Sequence, residues 1–473
     1  MGRVFEKSWF LPAVLVVAGL LRVAAGFRPL WYDEAVTYWQ AADATVMGPA
    51  KNFSVLHVWT VFPLIGRFEE PWMLRLPFIL MSLASILLFV LAARHFMDRN
   101  TASILALLLA VSPFHVYYSS ELRMYAYVLL GTSLALYGLL RAAERDAWGN
   151  WLLYFAGVWI GLAAHLYTAF LIIVHGMYLS THPAGRKILK RWLATLGLVM
   201  VAMTPNILYA VAIKPELIPW VEGRPGVALL GTVYSFVMGL VFLQGWSWLV
   251  LVAATVGLFG VLFLRGILTR DRGWLLRFFG VVVPSTLAIL PSFWVRSYNE
   301  QTTRYLLFSQ PFFLASVAVG LMSIHRSRLR ACILAGAMLL LVSALLPLYS
   351  QWREVGMGNY DIAAARLRTQ AQPGDIILSG RKAGLPIAYY LRDEMVRQMI
   401  FARPSEIPAN LPPADRIWFV SLGDRSMLDF VGTRKNGLTA DRPSAPPGYR
   451  LVSTETVLGR KPLTLALYER WWD

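Results

Sequence analysis

The stretch MLRLPFILMSLASILLFVLAA at residues 73–93, followed at once by Arg94, His95 and Arg99, decides the class of this chain. A helix rises about 1.5 Å per residue, so about 20 apolar residues match the roughly 30 Å hydrocarbon core of a bilayer. The stretch holds one charge, Arg75. Similar runs recur through the first three quarters of the 473 residues, near 9–27, 101–118, 124–140, 149–166, 167–182, 192–213, 246–264, 278–294, 305–322 and 331–349. Composition agrees: 57% of residues are hydrophobic and 15% charged, against about 25% charged in soluble domains, and the mean hydropathy is +0.54. The chain reads as a polytopic α-helical membrane protein with about 11 transmembrane helices.

The net charge of +17 is sorted along the chain. Arg141 and Arg145, then Arg186, Lys187, Lys190 and Arg191, then Arg265, Arg270, Arg272 and Arg277, then Arg326, Arg328 and Arg330 fill short loops that fall on one side of the membrane with the N-terminus. That is the positive-inside pattern. A nucleic-acid partner would need a basic face with interleaved aromatics on a soluble domain, and none is expected. Asp33, Glu34, Glu69, Glu70, Glu121, Glu216, Glu222 and Glu300 fall on the other side. The alternation holds if Val227–Gln244 lies at the interface and does not cross, and it then places the C-terminal part outside the cytoplasm. The N-terminal residues Arg3, Lys7, Phe10 to Ala18 and Val23-Ala24-Ala25-Gly26 resemble a signal peptide, but Arg22 and the spans that follow favour an uncleaved first span. The single cysteine, Cys332, sits in an apolar run and allows neither a disulfide within the chain nor a cysteine metal site.

Two domains follow. Residues 1–350 form the transmembrane domain, with a first extracytoplasmic loop at 28–72 in which Phe53 to Ile65 is apolar but short, as in a re-entrant or interfacial helix. Residues 351–473 are soluble in character: a helical period over Tyr360 to Gln370, a turn at Pro373-Gly374-Asp375, a strand at Ile376 to Leu378, a helix at Pro386 to Leu391 and a buried strand at Arg416 to Ser421. This pattern predicts a small α/β layer domain. No glycine-rich phosphate loop follows its first strand, so no nucleotide is expected.

Three constellations could carry chemistry. Asp33-Glu34 lies in WYDEAVTYW just past the first span. Adjacent residues are about 100° apart on a helix, so the two carboxylates cannot serve one point. They belong either to a reacting site or to an interfacial loop with its usual aromatic belt. Tyr117 to Tyr125 (YYSSELRMY) fills the gap between two spans; if helical, Tyr117, Glu121 and Tyr125 share a face, with Arg123 beside them. The competing reading is a Glu121–Arg123 pair closing a hairpin. Gln301-Thr302-Thr303-Arg304-Tyr305 opens a later span, where Arg304 either meets a lipid phosphate or snorkels. His57 and His165 fall on the same side, each a ligand or a packed residue. Arg22 and Arg75 are intramembrane charges, a functional hint by default. No HExxH, GxSxG or Walker motif is present.

Together these segments resemble a family. WYDEA at 31–35, MLRLP at 73–77, SPFHVYYSSELRMYAY at 112–127, AHLYTAF at 164–170 and RYLLFSQP at 304–311 are similar to the GT-C glycosyltransferases that include protein O-mannosyltransferases and the lipid A aminoarabinose transferase (glycosyltransferase family 39 and bacterial relatives). AAARLRTQAQPGDIIL at 363–378 and AYYL at 388–391 resemble the periplasmic α/β domain of bacterial members. The chain departs from the family at Lys51-Asn52-Phe53-Ser54-Val55-Leu56-His57, where many relatives carry His-Pro-Pro-Leu-Tyr.

The resemblance implies inverting transfer of a sugar from a polyprenyl-phosphate donor to an acceptor hydroxyl of a lipid, glycan or protein. The expected setting is the extracytoplasmic side of a bacterial cytoplasmic membrane, with a monomeric chain, a cytoplasmic N-terminus and a periplasmic C-terminal domain. A phosphate leaving group needs no general acid; it needs a base for the acceptor and positive charge for the departing anion. The implied roles are Asp33 as base, Glu34 and Glu121 as supporting carboxylates, and Arg123, Arg304 and Tyr305 around the donor phosphate. His57, Tyr125, His165 and Tyr167 would line the substrates. No cofactor is required, although Asp33 and Glu121 would suit Mg²⁺ or Mn²⁺. The competing functions are a flippase or transporter, which would predict internal repeats that the sequence does not show, and a polymerase or ligase acting on a lipid-linked glycan.

Overall fold

A computed structural model describes residues 7–43, 54–183, 185–213, 225–239, 246–295, 298, 302–350, 359–391, 399–401, 414–422, 448–457 and 463–471. Lys51, Asn52, Phe53, Glu216, Glu222, Arg296, Glu300 and Gln301 lie outside them. The chain divides into two compact units, Phe27–Pro49 with Ser350–Asp473 and residues 242–244 in one, and the rest through Tyr349 in the other.

The first helices are α1 (Phe10–Gly26), α2 (Tyr32–Ala42), α3 (Leu56–Val61), α4 (Pro71–Ala93), α5 (Arg99–Val111), α6 (Pro113–Ser119), α7 (Tyr125–Glu144), α8 (Trp148–Ala164) and α9 (Ala169–Thr181). There follow α10 (Gly185–Ile213), α11 (Pro225–Met238), α12 (Trp246–Leu268), α13 (Trp274–Ile289), α14 (Ser292–Val295), α15 (Gln310–Met322) and α16 (Ser327–Ser350). Among the described residues, 7 helical segments are long and apolar enough to cross a membrane, and 8 if the bent pair α5–α6 counts as one span. Three more of the expected spans are short helices: α1 and α8 have 17 residues each, and the apolar segment Leu166–Thr181 is shorter still. Seventeen residues make about 25 Å of helix, a few Å under the hydrocarbon thickness. The segment expected at the interface contains α11, whose 14 residues make about 21 Å. The short first-loop helix is α3, continued by a 3₁₀ turn at Phe62–Leu64.

Packing in the transmembrane unit rests on glycine and on buried polar links. A Cβ on Gly131 of α7 would stand 2.6 Å from the Gly161 nitrogen of α8, and one on Gly138 would stand 2.6 Å from the Tyr154 nitrogen. The backbones of α7 and α8 therefore touch along a glycine seam, the small-residue packing that brings membrane helices close without a hydrophobic driving force. Two further helices are tied to α8 by side chains: Trp192 Nε1 of α10 donates to Tyr154 Oη of α8 at 2.7 Å, and Tyr154 Oη is 3.3 Å from His175 Nδ1 of α9.

In the second unit, α17 (Tyr360–Gln370), β1 (Ile376–Ser379), α18 (Arg381–Leu391), β2 (Met399–Phe401), β3 (Arg416–Leu422), β4 (Tyr449–Val457) and β5 (Leu463–Arg470) follow in order. The sheet order is β2-β1-β3-β5-β4; β1 pairs parallel with β2 and β3, and β5 antiparallel with β3 and β4. Side chains alternate across it: Ile377, Trp418, Val420 and Leu465 pack with α17 and α18, while Ile376, Leu378, Ile417 and Phe419 face the other way. The Pro373-Gly374-Asp375 turn is present, with Gly374 at φ 96° and Asp375 accepting from the Gln372 nitrogen and from Trp418 Nε1, each at 2.9 Å. The small α/β layer is thus as expected, with β2, β4 and β5 added.

Because only backbone lies opposite Gly131, a side chain there forces α7 and α8 apart. Gly131→Val is expected to cost about 1–3 kcal/mol or more and lower the melting temperature in detergent, whereas Gly257→Ala, with open space around it, should leave it unchanged.

Candidate active site

In the transmembrane unit the candidate residues are built around a break. The axis of the helix turns by 60° between α5 and α6. Ser112 takes an extended conformation there and Pro113 opens α6, as proline does at a first helical position. Inside a bilayer the freed carbonyls need donors. Arg22 of α1, fully buried, supplies them: Nη1 donates to Ala110 O at 3.1 Å and Nη2 to Leu109 O at 3.2 Å. It also reaches across the break to Ser119 Oγ at 3.1 Å and His115 Nδ1 at 2.9 Å. Gln310 Nε2 pins the break from the other side, donating to Ser112 Oγ at 2.6 Å and Phe236 O at 2.8 Å. Arg75 donates to Gly26 O. The intramembrane cations Arg22 and Arg75 therefore hold backbone.

Past the break the chain leaves the helix at Ser120 and resumes at Tyr125. Tyr117, Glu121 and Tyr125 consequently do not share the continuous helical face expected of them: Glu121 and Arg123 sit on an irregular bend. The bend still gathers the expected residues. Glu121 and Tyr118 are fully buried, and Tyr118 meets Tyr125 at 4.9 Å between ring centroids and Tyr117 at 5.1 Å. Glu121 lies within electrostatic reach of Tyr118 and Tyr125, Arg304 of Tyr118, Tyr125 and His165, and Arg123 of Tyr125 and His165. Tyr305 packs on His165 at 4.6 Å and on Tyr167 at 5.4 Å, and the Arg304 guanidinium lies 5.9 Å from the Tyr305 ring. Arg123 Nη1 stands 3.5 Å from His57 Nε2. His57 is buried; burial first, then the charge of Arg123, hold its pKa well below the ordinary 6.5, so it is a neutral hydrogen-bonding ring. Two guanidiniums, one buried carboxylate and several phenols thus meet at one place, a set suited to an anionic phosphate and sugar hydroxyls.

Asp33 and Glu34 belong to the second unit. They occupy the first turn of α2, where carboxylates are favoured by the helix dipole. Glu34 is fully buried, its Oε2 3.5 Å from the Trp31 nitrogen. Asp33 is part-exposed, and its charge, after burial, contributes to holding the Tyr360 hydroxyl above its ordinary pKa. The helix is seated on α18: Trp39 Nε1 donates to Leu385 O at 3.0 Å, the Leu30 nitrogen donates to Tyr390 Oη at 2.7 Å, and Tyr38 meets Tyr389 edge-on at 4.7 Å. The sequence reading keeps all of loop 28–72 with the spans; the packing puts its first part with the C-terminal layer.

Sequence reasoning passed over Tyr118 and Gln310, both fully buried. The signal was a polar residue inside the RYLLFSQP run and a second tyrosine in YYSSELRMY. Among the described residues no group of three or more His, Cys, Asp or Glu converges on one point.

Comparisons with known proteins agree with this architecture. The family model described as dolichyl-phosphate-mannose-protein mannosyltransferase matches residues 55–209, about a third of the chain. No curated protein matches in sequence. Among solved structures, ArnT from Cupriavidus metallidurans bound to undecaprenyl phosphate is similar with a TM-score of 0.58 at 14% identity, covering 97% of each chain. The arabinofuranosyltransferase AftD from Mycobacteria gives 0.57 at 14% identity over 99% of this chain and 40% of its own. The Archaeoglobus fulgidus oligosaccharyltransferase gives 0.51 at 14% identity over 83% and 64%. All three are GT-C glycosyltransferases, and this membrane protein has the GT-C glycosyltransferase fold.

Proposed function

We propose that the chain is an inverting glycosyltransferase that moves a sugar from a polyprenyl-phosphate donor to a hydroxyl of a lipid, glycan or protein acceptor on the extracytoplasmic side of a bacterial cytoplasmic membrane. The observation that carries this reading is the meeting of Arg123 and Arg304 around Tyr125 and His165, beside the buried Glu121. Two cations held in a largely buried aromatic setting suit a phosphate anion that must be stabilised as it leaves. The undecaprenyl phosphate bound to ArnT supports a lipid-phosphate donor, and the positive-inside distribution of the basic loops supports the side.

In the transfer step the acceptor oxygen attacks the anomeric carbon and the bond from that carbon to the phosphate oxygen breaks. Asp33 takes the acceptor proton. The lipid phosphate departs as an anion and needs no proton; Arg123 and Arg304 offset its charge, with Tyr305 fixing the Arg304 side chain. Glu34 and Glu121 orient groups around the reaction, and His57, Tyr125, His165 and Tyr167 line the substrates. A single displacement inverts the anomeric configuration.

The reading is tested in vesicles with labelled polyprenyl-phosphate monosaccharides; movement of label across the bilayer without transfer would assign a flippase instead. Asp33→Asn, at normal membrane expression, should lower transfer about 100-fold or more, as expected for a lost general base, and retained activity would remove Asp33 from that role. Arg304→Gln should lower turnover by about 100-fold, with Arg304→Lys restoring part of it because charge without the planar fork remains. The positive charge for the leaving group comes from two guanidiniums, so transfer should survive exhaustive chelation; its loss, with recovery on adding Mg²⁺ or Mn²⁺, would show that a divalent metal takes part.

A further inference from the structure

At the other end of α5 from the candidate site, a cleft of about 560 Å³ opens between the N-terminus of α5 and the C-terminal ends of α4, α12 and α15. The 13 residues of α5 set it about 20 Å of helix away from the break, toward the opposite leaflet. Its lining mixes charge with an apolar wall that includes Met97 and Met322.

The polar groups of the lining fall into two classes. The acids are already engaged. Asp98 caps α5, accepting from the Asn100 and Thr101 nitrogens at 3.0 Å each and from Thr101 Oγ1 at 2.5 Å. Asp271 pairs with the buried Arg277 at 2.8 Å and accepts from the Gly273 nitrogen at 3.0 Å. Ser323 Oγ receives Arg265 Nε at 2.5 Å. Among the described residues the two cations, Arg94 and Arg272, have no carboxylate partner. Arg94, which follows the last turn of α4, has a buried Nε that meets no acceptor among the described residues. Burial, and after it the charge of Arg99, lower the Arg94 pKa from its ordinary value, so an anion beside it would relieve both costs. Arg272 is exposed at the rim.

We propose that this cleft is a second, non-catalytic site that binds a phosphate-bearing anion, held by Arg94 and Arg272. Two guanidiniums beside one carboxylate that is ion-paired, Asp271, and one that is taken up as a helix cap, Asp98, leave the cleft a net positive charge, and match a phosphate group better than a sugar. The anion is either the headgroup of an anionic phospholipid, whose first methylenes would lie on Met97 and Met322, or free phosphate. This site is independent of the transfer reading.

The test uses the full-length protein in neutral detergent, titrated separately with dioctanoyl phosphatidylglycerol and with inorganic phosphate, bound ligand being counted by native mass spectrometry. One saturable site is expected, weakened about tenfold or more in Arg94→Gln and in Arg272→Gln, the loss of a charge-assisted contact. Arg272 is exposed, so its variant keeps the test open if Arg94→Gln misfolds. Arg328→Gln, exposed and outside the cleft, makes the same charge change and should bind as the parent does. Saturation by the lipid alone identifies a headgroup site; saturation by both shows that phosphate suffices. Unchanged binding in Arg272→Gln, equal loss in Arg328→Gln, or no saturable binding of either probe overturns the proposal.

Discussion

A helix that breaks inside a membrane must find donors for the carbonyls it exposes, since no water is present to supply them. Arg22 meets that demand. It spans from α1 to the end of α5 and on to α6, bonding two terminal carbonyls, a serine hydroxyl and an imidazole across the break. Guanidinium is suited to this work: it is planar, carries five N–H donors, and is less strongly hydrated than an ammonium. Burying it is costly in hydrocarbon, and the cost is offset only while all of these partners stay in place. The break, once held, frees Ser120 to Met124 from helical geometry and lets Glu121 turn inward beside Tyr118 and Tyr125.

The start of α2, in the other unit, obeys a simpler rule. Two consecutive carboxylates at a helix start cannot share a direction. In α2 one of them, Glu34, is fully buried near the helix N-terminus, and the other, Asp33, keeps part of its surface. A base must reach its substrate, and a fully buried carboxylate close to its own backbone is poorly placed to do so. That difference of environment is why the proposed function gives the proton to Asp33 and not to Glu34.

Much of this was readable from residue order. The spans are legible because hydrocarbon thickness imposes a length on apolar runs, and α17 and the Pro373-Gly374-Asp375 turn because period and turn chemistry are local. The helical face drawn through Tyr117, Glu121 and Tyr125 does not form, since the chain leaves the helix after Ser119, whose hydroxyl is held by Arg22 from far away in sequence. β5 escaped notice because LTLALYER is a short apolar run without a decisive period, and β4 because YRLVSTETV lies largely exposed at the sheet edge, where burial imposes little pattern. The seating of α2 on α18 was also hidden, although Tyr389 and Tyr390 of AYYL turn out to be its anchors.

Arginine shows where sequence rules for membrane proteins need the partner as well as the position. Among the described residues Arg22, Arg75 and Arg277 are the most deeply buried cations, and an intramembrane charge is by default a functional hint. Each nevertheless spends donors on backbone carbonyls of its own fold, Arg277 on Gly266 O and Thr269 O as well as on Asp271. Arg123 and Arg304 are less buried, yet they stand among phenols and imidazoles, side chains that can share a ligand. Depth alone therefore does not tell these two groups of cations apart by their surroundings. What separates the two groups of cations is whether their neighbours are carbonyls that the fold must satisfy or side chains that carry hydrogen-bonding groups of their own.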